Sequence, residues 1–482
     1  MSDANHSSGA SNAPVRAGAS NASGTSGTSG APDAPGAPFD FDVTIVGAGP
    51  VGLALAAWLA RRSASAALSV ALIDARDPEA AAGDPRAIAV SEGSRMLLEP
   101  LSAWPHDVNA IERIHVSQRG HFGRTLIERD EHGLPALGYV ARYGSIVHAI
   151  AAAVRRTHTH WFTSTLALPP IAEHGGEGVA LPIESAHVRR TLRTRILVNA
   201  EGGLYGDTRT PRRSGAESAK TGSHHESGRH DGRGESGKTA ESAERRNVAG
   251  SGGNRAGAHD ATANALARRH TRDYGQTALV GTVSVSAPQP HVAWERFTHE
   301  GPIALLPMGG VRHADYALVW CMAPEEAARR AQLPDAALLA ELGVAFGERM
   351  GRFESIKGRA TFPLGLTAAQ MLVDDRIAAI GNAAQTLHPV AGQGLNLGLR
   401  DAHALADALA QHGATPQALA AFGRRRALDR RLTIGATDAL ARLFTVEFGP
   451  LAPLRSLALM ALECVPPAKA ALARQMMFGQ RR

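Results

Sequence analysis

The chain around residue 50 alternates between strand-like and helix-like patterns of apolar residues. Phe41–Val46 is a run of β-forming residues that ends at a glycine, and residues 51–62 are rich in alanine and leucine. Residues 68–73 form a second short apolar run. A strand, a helix and a second strand within about 30 residues make a βαβ unit, which the pattern therefore predicts over residues 42–74.

The second half of the chain carries a different pattern. Residues 277–285, 303–306 and 316–321 are rich in β-forming side chains and are bounded by Pro, Gly and His, which predicts antiparallel strands. Residues 376–380 form a further buried strand, followed by a Gly-rich and Pro-rich loop at 381–394 and a helix at 395–411. Residues 424–477 are predicted to be helical and to be cut into pieces by Pro450, Pro453, Pro466 and Pro467.

Two stretches lack apolar periodicity. Residues 1–38 consist mainly of Ser, Gly, Ala, Asn and Pro without the apolar segment of a signal peptide, so we expect a disordered tail. Residues 205–270 are rich in Ser, Gly, His, Arg and Glu, which predicts a solvated low-complexity insertion. The histidines at 224, 225, 230 and 259 belong to this solvated stretch, and we expect no metal site there.

Composition and charge narrow the classes of protein. The 482 residues are 44% hydrophobic and can bury a large core in about two domains. Of the six net positive charges, four lie at 205–270, where twelve Lys and Arg face eight Asp and Glu without interleaved aromatic residues, so no nucleic-acid binding is expected. Cys321 and Cys464 form neither a disulfide framework nor a metal spacing, which fits a reducing cytoplasm. No apolar run is long enough to span a bilayer, so any membrane contact would be peripheral.

The first candidate binding motif is Gly47-Ala48-Gly49-Pro50-Val51-Gly52, which fits G-x-G-x-x-G between a strand and a helix. Gly47 would make the tight turn, Gly49 would let the backbone approach a pyrophosphate, and Gly52 would let helix and strand pack closely. Asp74, at the end of the second strand, is placed to bind an adenosine ribose. This motif alone does not separate NAD from FAD. A second match at residues 232–237 lacks a strand and an apolar helix and is attributed to chance.

The second motif, residues 376–401, resembles the element of the aromatic-ring hydroxylases that closes over the flavin. The residues that carry this resemblance include Gly381, Asn382, Gly392 and the turn Gly394-Leu395-Asn396. The resemblance implies that Asn382 holds the ribitol chain and that the N–H groups of the turn face flavin N1 and O2. Reduced flavin carries negative charge near N1, which a helix N-terminus stabilises. FAD is therefore the expected cofactor.

A closer resemblance is to the ubiquinone-biosynthesis flavin hydroxylases, in particular the 2-polyprenyl-6-methoxyphenol hydroxylase subfamily. It rests on Gly-Asn-Ala-Ala-Gln-Thr-Leu-His-Pro from Gly381 and on segments beginning at Asp84, Gly120, Asp273, Gly301 and Arg425. Most aromatic-ring hydroxylases carry Asp where this chain has Asn382. The chain departs from the family at Glu201, where an Asp-Gly signature is usual, and at the insertion that follows.

The resemblance implies an α/β fold with an FAD-binding Rossmann-like domain of the PHBH-like type, a mainly antiparallel substrate sheet and a helical C-terminus. The expected division is a tail at 1–38, the FAD-binding domain with interleaved substrate segments at 39–204, the insertion at 205–270, the substrate domain at 271–365, an FAD-closing element at 366–411 and a helical C-terminal region at 412–482.

The resemblance also implies roles for three residues. Arg86, in the family's Asp-x-Arg pattern, would lie near the flavin and the pyrophosphate. His388 is either a base or a packed loop residue, and packing is favoured. Pro389 would fix the loop beside the flavin edge where oxygen reacts, so His388 and Pro389 are the candidate catalytic residues.

The implied reaction begins with reduction of the flavin by NAD(P)H or another external electron donor. The flavin then reacts with O₂ at C4a, and the resulting hydroperoxide transfers one oxygen to a prenylated phenol. Rival hypotheses are a sister hydroxylase of another ring position, a flavin oxidase, and an FAD-binding accessory subunit of a ubiquinone-biosynthesis assembly. Residues 451–465 are largely apolar and suit either a membrane surface, a partner or the core. The expected location is the cytoplasm, with peripheral contact at the inner face of the cytoplasmic membrane.

Overall fold

The computed structural model describes residues 38–77, 80–81, 83–173, 176–201, 268–389, 392–445 and 451–479. The expected disordered tail lies outside these residues apart from Pro38, and so does the expected insertion from residue 205 to residue 267. The compact unit begins at Phe39.

The strands are, in chain order, β1 Phe41–Val46, β2 Val70–Ile73, β3 Ala87–Ser91, β4 Val108–Ile111, β5 Arg113–Gln118, β6 Arg124–Glu128, β7 Gly138–Arg142, β8 His160–Phe162, β9 Thr165–Ala167, β10 Ile171–Ala172, β11 Val179–Ser185, β12 Val188–Asn199, β13 Arg269–Val285, β14 Val292–Phe297, β15 Pro302–Gly309, β16 Asp315–Met322, β17 Phe353–Ala369, β18 Val373–Asp374, β19 Ile377–Ala379 and β20 Gln385–Thr386.

The α-helices are α1 Pro50–Arg61, α2 Glu92–Leu98, α3 Tyr143–Val154, α4 Pro324–Ala331, α5 Asp335–Phe346, α6 Gln393–His412, α7 Pro416–Thr445, α8 Leu451–Cys464 and α9 Pro466–Phe478.

The first sheet has the order β10-β11-β12-β1-β2-β8, with β19 added beside β12. β1 is parallel to both β12 and β2, and β19 and β8 extend the parallel part. The four apolar side chains of β1 are buried because both faces of this strand are covered, as is usual in parallel sheets, and its polar residues are Asp42 and Thr44. Val43 and Ile45 belong to the core shared with α1, α3 and α6, whereas Phe41 and Val46 pack with β11. The predicted βαβ unit is confirmed, with α1 beginning at Pro50 and β2 at Val70.

The second sheet has the order β20-β17-β13-β16-β15-β14-β5-β6, and its pairs are antiparallel except β14 with β5. The expected mainly antiparallel sheet is confirmed. It begins earlier and ends later than the pattern predicts, because Arg269 pairs with Ala369 and because Thr386 of β20 pairs with Thr367. The end of the expected insertion and part of the FAD-closing element thus belong to this sheet. The start of β13 is polar and exposed, so its apolar pattern gave no strand signal, and the tertiary partner β17 makes it a strand.

The two faces of the second sheet differ sharply. One face packs against α4 and α5 through large side chains such as Trp294, Trp320 and Tyr316. The other face, called the inner face below, carries mostly small or aliphatic residues. These are Ala278, Val280, Ala293, Ala304, Leu306, Met308, Val319 and Cys321. A small third sheet, of order β3-β7-β4, contacts this inner face of the second sheet through Ala87 and Val140.

The C-terminal region is helical as predicted, but one of the four prolines does not divide it. Pro453 lies inside the first turn of α8, where its missing N–H has no helical partner to lose. Pro466 begins α9, and Pro450 lies outside the described residues. α6 begins at Gln393, two residues before the predicted start.

Candidate functional site

The first glycine motif forms the turn between β1 and α1, and two of its glycines are required by close backbone contacts. Gly47 has φ +107°, and a Cβ there would lie 2.7 Å from backbone atoms of Ala200 and Glu201. A Cβ on Gly52 would lie 2.0 Å from the carbonyl oxygen of Gly47. These are the tight turn and the close helix packing predicted from the motif.

Gly49 differs from Gly47 and Gly52 because the protein leaves space beside it. The only non-neighbouring atom within 4 Å of a Cβ built there is Tyr143 Oη, at 3.9 Å. Gly49 is the N-cap of α1, whose first turn carries neither an acidic residue nor a side-chain cap. An open space at the positive end of a helix fits a pyrophosphate group.

Asp74 holds the same turn from the end of β2. Its Oδ2 accepts a 2.7 Å hydrogen bond from the N–H of Ala48, and its Oδ1 accepts a 2.8 Å bond from the N–H of Arg76. The carboxylate expected to contact a ribose therefore also ties the glycine turn to the second strand.

The structure brings the second motif against the first through one side chain. Val51 of α1 lies between Gly381 and Gly398, since a Cβ on either glycine would come within 3.1 Å or 2.7 Å of a Val51 methyl group. Gly381 also has φ +60°. Residues more than 300 positions apart thus share one location, where the first turn of α1 meets the N-terminal half of α6.

The N-terminus of α6 is anchored by Asn396. Its Oδ1 accepts hydrogen bonds from Ser91 N (2.9 Å) and Ser94 Oγ (2.7 Å), and its Nδ2 donates to the carbonyl oxygens of Ala89 and Gly392. With Gly392 as N-cap, Gln393, Gly394 and Leu395 form the first turn, whose N–H groups have no partner within the helix. Asn396, the fourth residue, contributes its side chain to positioning this turn.

Space is also open at Gly394, where a Cβ would meet no atom within 4 Å. Asn382 is half-buried beside Gly381, and its side-chain amide makes no hydrogen bond to any residue that the structure describes. An unused amide and an open helix N-terminus are the features expected where ribitol hydroxyls and the flavin N1 and O2 edge would bind. The residues of both motifs therefore fit FAD.

His388 and Pro389 lie in different environments. His388 is 1% exposed and meets Tyr274 edge to face, with ring centroids 5.2 Å apart. Burial lowers the pKa of His388 to about 4, so the ring is neutral near pH 7. Pro389 is exposed and its carbonyl accepts the N–H of Gly392. His388 has the burial expected of a packed loop residue, and Pro389 lies on the open side of the loop.

Arg86 lies beside the first glycine turn. Its guanidinium donates to both carboxylate oxygens of Asp84 at 2.6–2.9 Å and lies 4.7 Å over the ring of Tyr143, the residue nearest Gly49. Burial raises the pKa of Asp84, but the hydrogen bonds from Arg86 outweigh that effect and lower it overall. The ion pair fixes the arginine next to the open space at Gly49.

A buried ionic cluster is hydrogen-bonded to the loop of the second motif. Asp401, fully buried, accepts hydrogen bonds from Gln385 Nε2 (2.8 Å) and Arg426 Nε (2.7 Å), and more weakly from Gly381 N (3.4 Å). Arg430 donates to Gln385 Oε1 at 2.8 Å. The segment from Arg425 to Arg430 resembled the family in sequence without an assigned role, and here it positions the loop.

Glu295 is a residue that the sequence patterns did not single out. It lies on β14 among the small residues of the second sheet's inner face, partly accessible although deep in the protein. Burial raises its pKa to about 7, and burial together with the charge of Glu295 raises the pKa of the Cys321 thiol. A carboxyl group and Arg296 beside it, in the otherwise apolar strand Val292–Phe297, were the available signal.

Two further findings apply to the part of the chain that the structure describes. No helix there is long and apolar enough to cross a membrane. No group of three or more His, Cys, Asp or Glu side chains there could hold a metal ion.

Comparison with known proteins agrees with this geometry. A family model described as an FAD binding domain matches residues 233–429. An uncharacterized protein of Synechocystis sp. is 31% identical over 459 residues, covering 91% of this chain and 93% of that protein. Ubiquinone hydroxylase UbiL of Rhodospirillum rubrum is 30% identical over 445 residues, covering 89% of this chain and 87% of that protein.

A solved structure shows the same fold. The p-nitrophenol 4-monooxygenase PnpA from Pseudomonas putida DLL-E4 superposes with a TM-score of 0.62 at 12% identity, covering 92% of this chain and 99% of that one. The PHBH-like architecture expected from the sequence is confirmed. Since identity of 30% extends over nearly the whole chain and both flavin motifs meet at Val51, the protein belongs to the FAD-dependent ubiquinone-ring hydroxylase family and is an FAD-dependent aromatic-ring monooxygenase.

Proposed function

We propose that the protein hydroxylates the ring of a polyprenylated phenol in ubiquinone biosynthesis, and that the substrate is 2-polyprenyl-6-methoxyphenol. The observation that carries this proposal is the apolar inner face of the second sheet, which meets β3 near both glycine turns. Its residues Ala278, Ala293 and Ala304 are small and would leave room for a ring, and Arg272, near the start of β13 on the same face, is paired with Asp438.

FAD would be held by the two motifs in distinct ways. Gly49 and the first turn of α1 would face the pyrophosphate, Asp74 the ribose, and Arg86 would lie alongside. Asn382 would bind the ribitol chain, and Gly394 and Leu395 would present their N–H groups to N1 and O2. Bound FAD supplies the redox chemistry, in which a donor such as NAD(P)H and O₂ yield the hydroxylated ring and water.

Glu295 would accept the phenolic proton in this proposal. A carboxyl with a pKa of about 7 is partly ionised at neutral pH, and a base with its pKa near the working pH is the most effective. A deprotonated phenol is a richer electron donor at the ring carbons. Pro389 and the neutral His388 would shape the loop beside the reacting ring and keep water out.

The electron donor and the location are also proposals. We expect NAD(P)H or a donor protein to bind transiently, because the chain shows no second convincing dinucleotide fold in its sequence. Peripheral contact with the inner face of the cytoplasmic membrane would involve α8 and α9. An apolar surface is exposed there by Leu457, Met460, Cys464 and Val465. The sequence alone did not decide whether this segment lies in the core or at an interface.

Product analysis tests the proposal. The purified FAD-bound protein, with an electron donor and a short-chain 2-prenyl-6-methoxyphenol, should consume O₂ and form one hydroxylated product. Hydrogen peroxide without that product would indicate an oxidase. Lack of turnover by the isolated chain, restored by partner proteins, would indicate an accessory subunit of an assembly.

Loss of the gene tests the ring position. A strain without the protein and without a duplicate should stop making ubiquinone and accumulate the unhydroxylated prenylated methoxyphenol. An intermediate lacking oxygen at another ring carbon would reassign the protein to a sister activity.

A further inference from the structure

A cavity that is partly open to solvent has no residue of the two glycine turns in its lining. It has a volume of about 880 Å³ and lies between α2, the segment around His132, the middle of α6, α7 and the end of α9. Arg400, Arg425, Arg426 and Arg474 line it, with Asp429 as the carboxylate among the described lining residues. The lining is therefore strongly cationic.

Two of these arginines are almost entirely buried and incompletely bonded. The side chains of Arg400 and Arg426 are 6% and 7% exposed. Arg400 Nη1 and Arg426 Nη2 have no hydrogen-bond partner among the residues that the structure describes. A buried cationic donor without an acceptor costs free energy, so these two atoms point to an anion that completes the site.

The carboxylates nearby do not balance the charge. Asp429 lies between Arg400 and Arg426, and Asp401 accepts the Nε of Arg426 on the other side, while Arg430 adds a third guanidinium. Burial lowers the pKa of Arg400, although the charge of Asp429 opposes this effect. One positive charge of this buried cluster is left over, and Arg474 at the rim adds another.

His132 adds neutral donor capacity on the facing wall. Both of its ring nitrogens are buried without a partner among the described residues. Burial lowers the pKa of His132, and the charges of Arg474 and Lys469 lower it further against the effect of Glu131. The neutral ring can still donate one hydrogen bond.

The rest of the lining is apolar. Met96, Leu97, Leu134 and Phe478 occupy the wall formed by α2, the loop after His132 and the end of α9. A ligand that fits the whole cavity therefore has a compact anionic head and a short apolar part.

We propose that this cavity binds a phosphate-bearing amphipathic small molecule. Arg400 Nη1, Arg426 Nη2 and Arg474 would bind the phosphate oxygens, and Met96, Leu97 and Phe478 would contact the apolar part. Guanidinium groups match the geometry of phosphate, and the excess of positive charge here exceeds what one carboxylate would neutralise. Since Asp401 joins Arg426 to Gly381 N, occupation of the cavity is coupled to the loop of the second motif.

Calorimetric titration of the FAD-bound protein tests the site with three probes. Hexyl phosphate carries both parts of the ligand, inorganic phosphate only the head and hexan-1-ol only the tail. We expect hexyl phosphate to bind at one site per chain and more tightly than either fragment. Equal affinity for inorganic phosphate would contradict the apolar contact and identify free phosphate as the ligand, and absence of saturable binding by both phosphates would overturn the site.

Two matched variants locate the binding. Arg474→Gln removes a rim charge that lies outside the buried ion pairs, and it should weaken hexyl phosphate binding about tenfold, as expected for a charged hydrogen bond. Arg424→Gln makes the same change at an exposed position of α7 that does not line the cavity, and it should leave the affinity unchanged. Equal weakening in both variants would show that binding is only a diffuse charge effect. Thermal unfolding of each variant verifies that the fold is retained.

Discussion

At the scale of single residues, the site depends on which glycines the protein needs for itself and which it leaves open. Gly47 and Gly52 are fixed by backbone contacts at 2.7 Å and 2.0 Å, whereas Gly49 has open space. Substitutions at these positions should therefore act on different properties, folding in one case and cofactor binding in the other.

We expect Gly49→Val to fold with near wild-type stability and to lose FAD, because the side chain would fill space that the pyrophosphate needs. Gly52→Val should instead fail to fold, since its side chain would overlap the carbonyl of Gly47. Flavin absorbance per chain and thermal unfolding distinguish the two outcomes. Stoichiometric FAD in soluble Gly49→Val protein would disprove the assignment of this turn.

Glu295 should make stability depend on pH. Its pKa is about 7 in the folded protein against 4.5 in a model peptide. As pH rises from about 5 to 8, the unfolded chain ionises first, so ionisation favours unfolding until the folded group also loses its proton. We expect the wild type to lose about 1–3 kcal/mol of unfolding free energy over this range relative to Glu295→Gln. Urea titrations at pH 5 and pH 8 measure the difference, and parallel pH profiles would contradict it.

At the scale of elements, the N-terminus of α6 is the part of the second motif that we propose to approach the flavin. Asn396 fixes its position through four hydrogen bonds, and Gly394 leaves the approach open. Because these bonds hold the N-terminus of α6 in place, the helix cannot easily shift to make room for a side chain added at Gly394.

Gly394→Leu should keep part of its FAD through the adenosine half and lose hydroxylation, because the helix N-terminus could no longer reach N1 and O2. The flavin reduction potential should also fall, since the reduced anion would lose its N–H partners. Gly435→Leu, at an exposed glycine of α7 with no atom within 4 Å of a Cβ, is the matched control. Wild-type product formation by Gly394→Leu would refute this role.

The apolar surface of α8 and α9 should bind membranes. Exposed Leu457 and Met460 lie one helical turn apart on α8, and Leu457→Asp with Met460→Asp should strongly reduce co-sedimentation with vesicles of phosphatidylethanolamine and phosphatidylglycerol. Val344→Asp, which places a charge at an exposed apolar position of α5, should leave co-sedimentation unchanged. Failure of the wild type to bind vesicles would reject the membrane proposal.

At the scale of the whole molecule, both large sheets contribute residues to the candidate site. The parallel sheet positions the turns that are proposed to face the cofactor, and the second sheet supplies an apolar face opposite β3. β17 and β20 link the sheets, because β20 lies in the loop between β19 and α6. Both sheets therefore determine the position of that loop.

Deletion of residues 210–265 should leave folding and FAD binding nearly intact, because the segment has few apolar residues to bury. Ala200, which packs against the first glycine turn, and Arg269, which starts β13, lie outside the deletion. Soluble yield and flavin content of the shortened chain are the measurements. A collapse in soluble yield would show that the segment packs against the rest.

Local sequence determined the elements whose cause is local. Phe41–Val46 has the predicted bounds because this run of mostly β-forming residues ends at a glycine, and the glycine spacing predicted the contacts of Gly47 and Gly52. Family resemblance supplied the fold class and the meaning of residues 376–401. Local patterns and family resemblance are both read from short segments of the sequence, and neither requires knowing which distant residues those segments contact.

Only the tertiary structure decided the features that depend on distant neighbours. The polar start of β13 becomes a strand because β17 pairs with it, and Glu295 acquires its raised pKa because the apolar residues around it come from several strands. Arg400 and Arg426 belong to one cavity with His132 and Phe478 because four helices and a loop converge there. Hydrogen bonding across a sheet, desolvation and charge convergence are properties of spatial neighbours, which the order of residues along the chain does not contain.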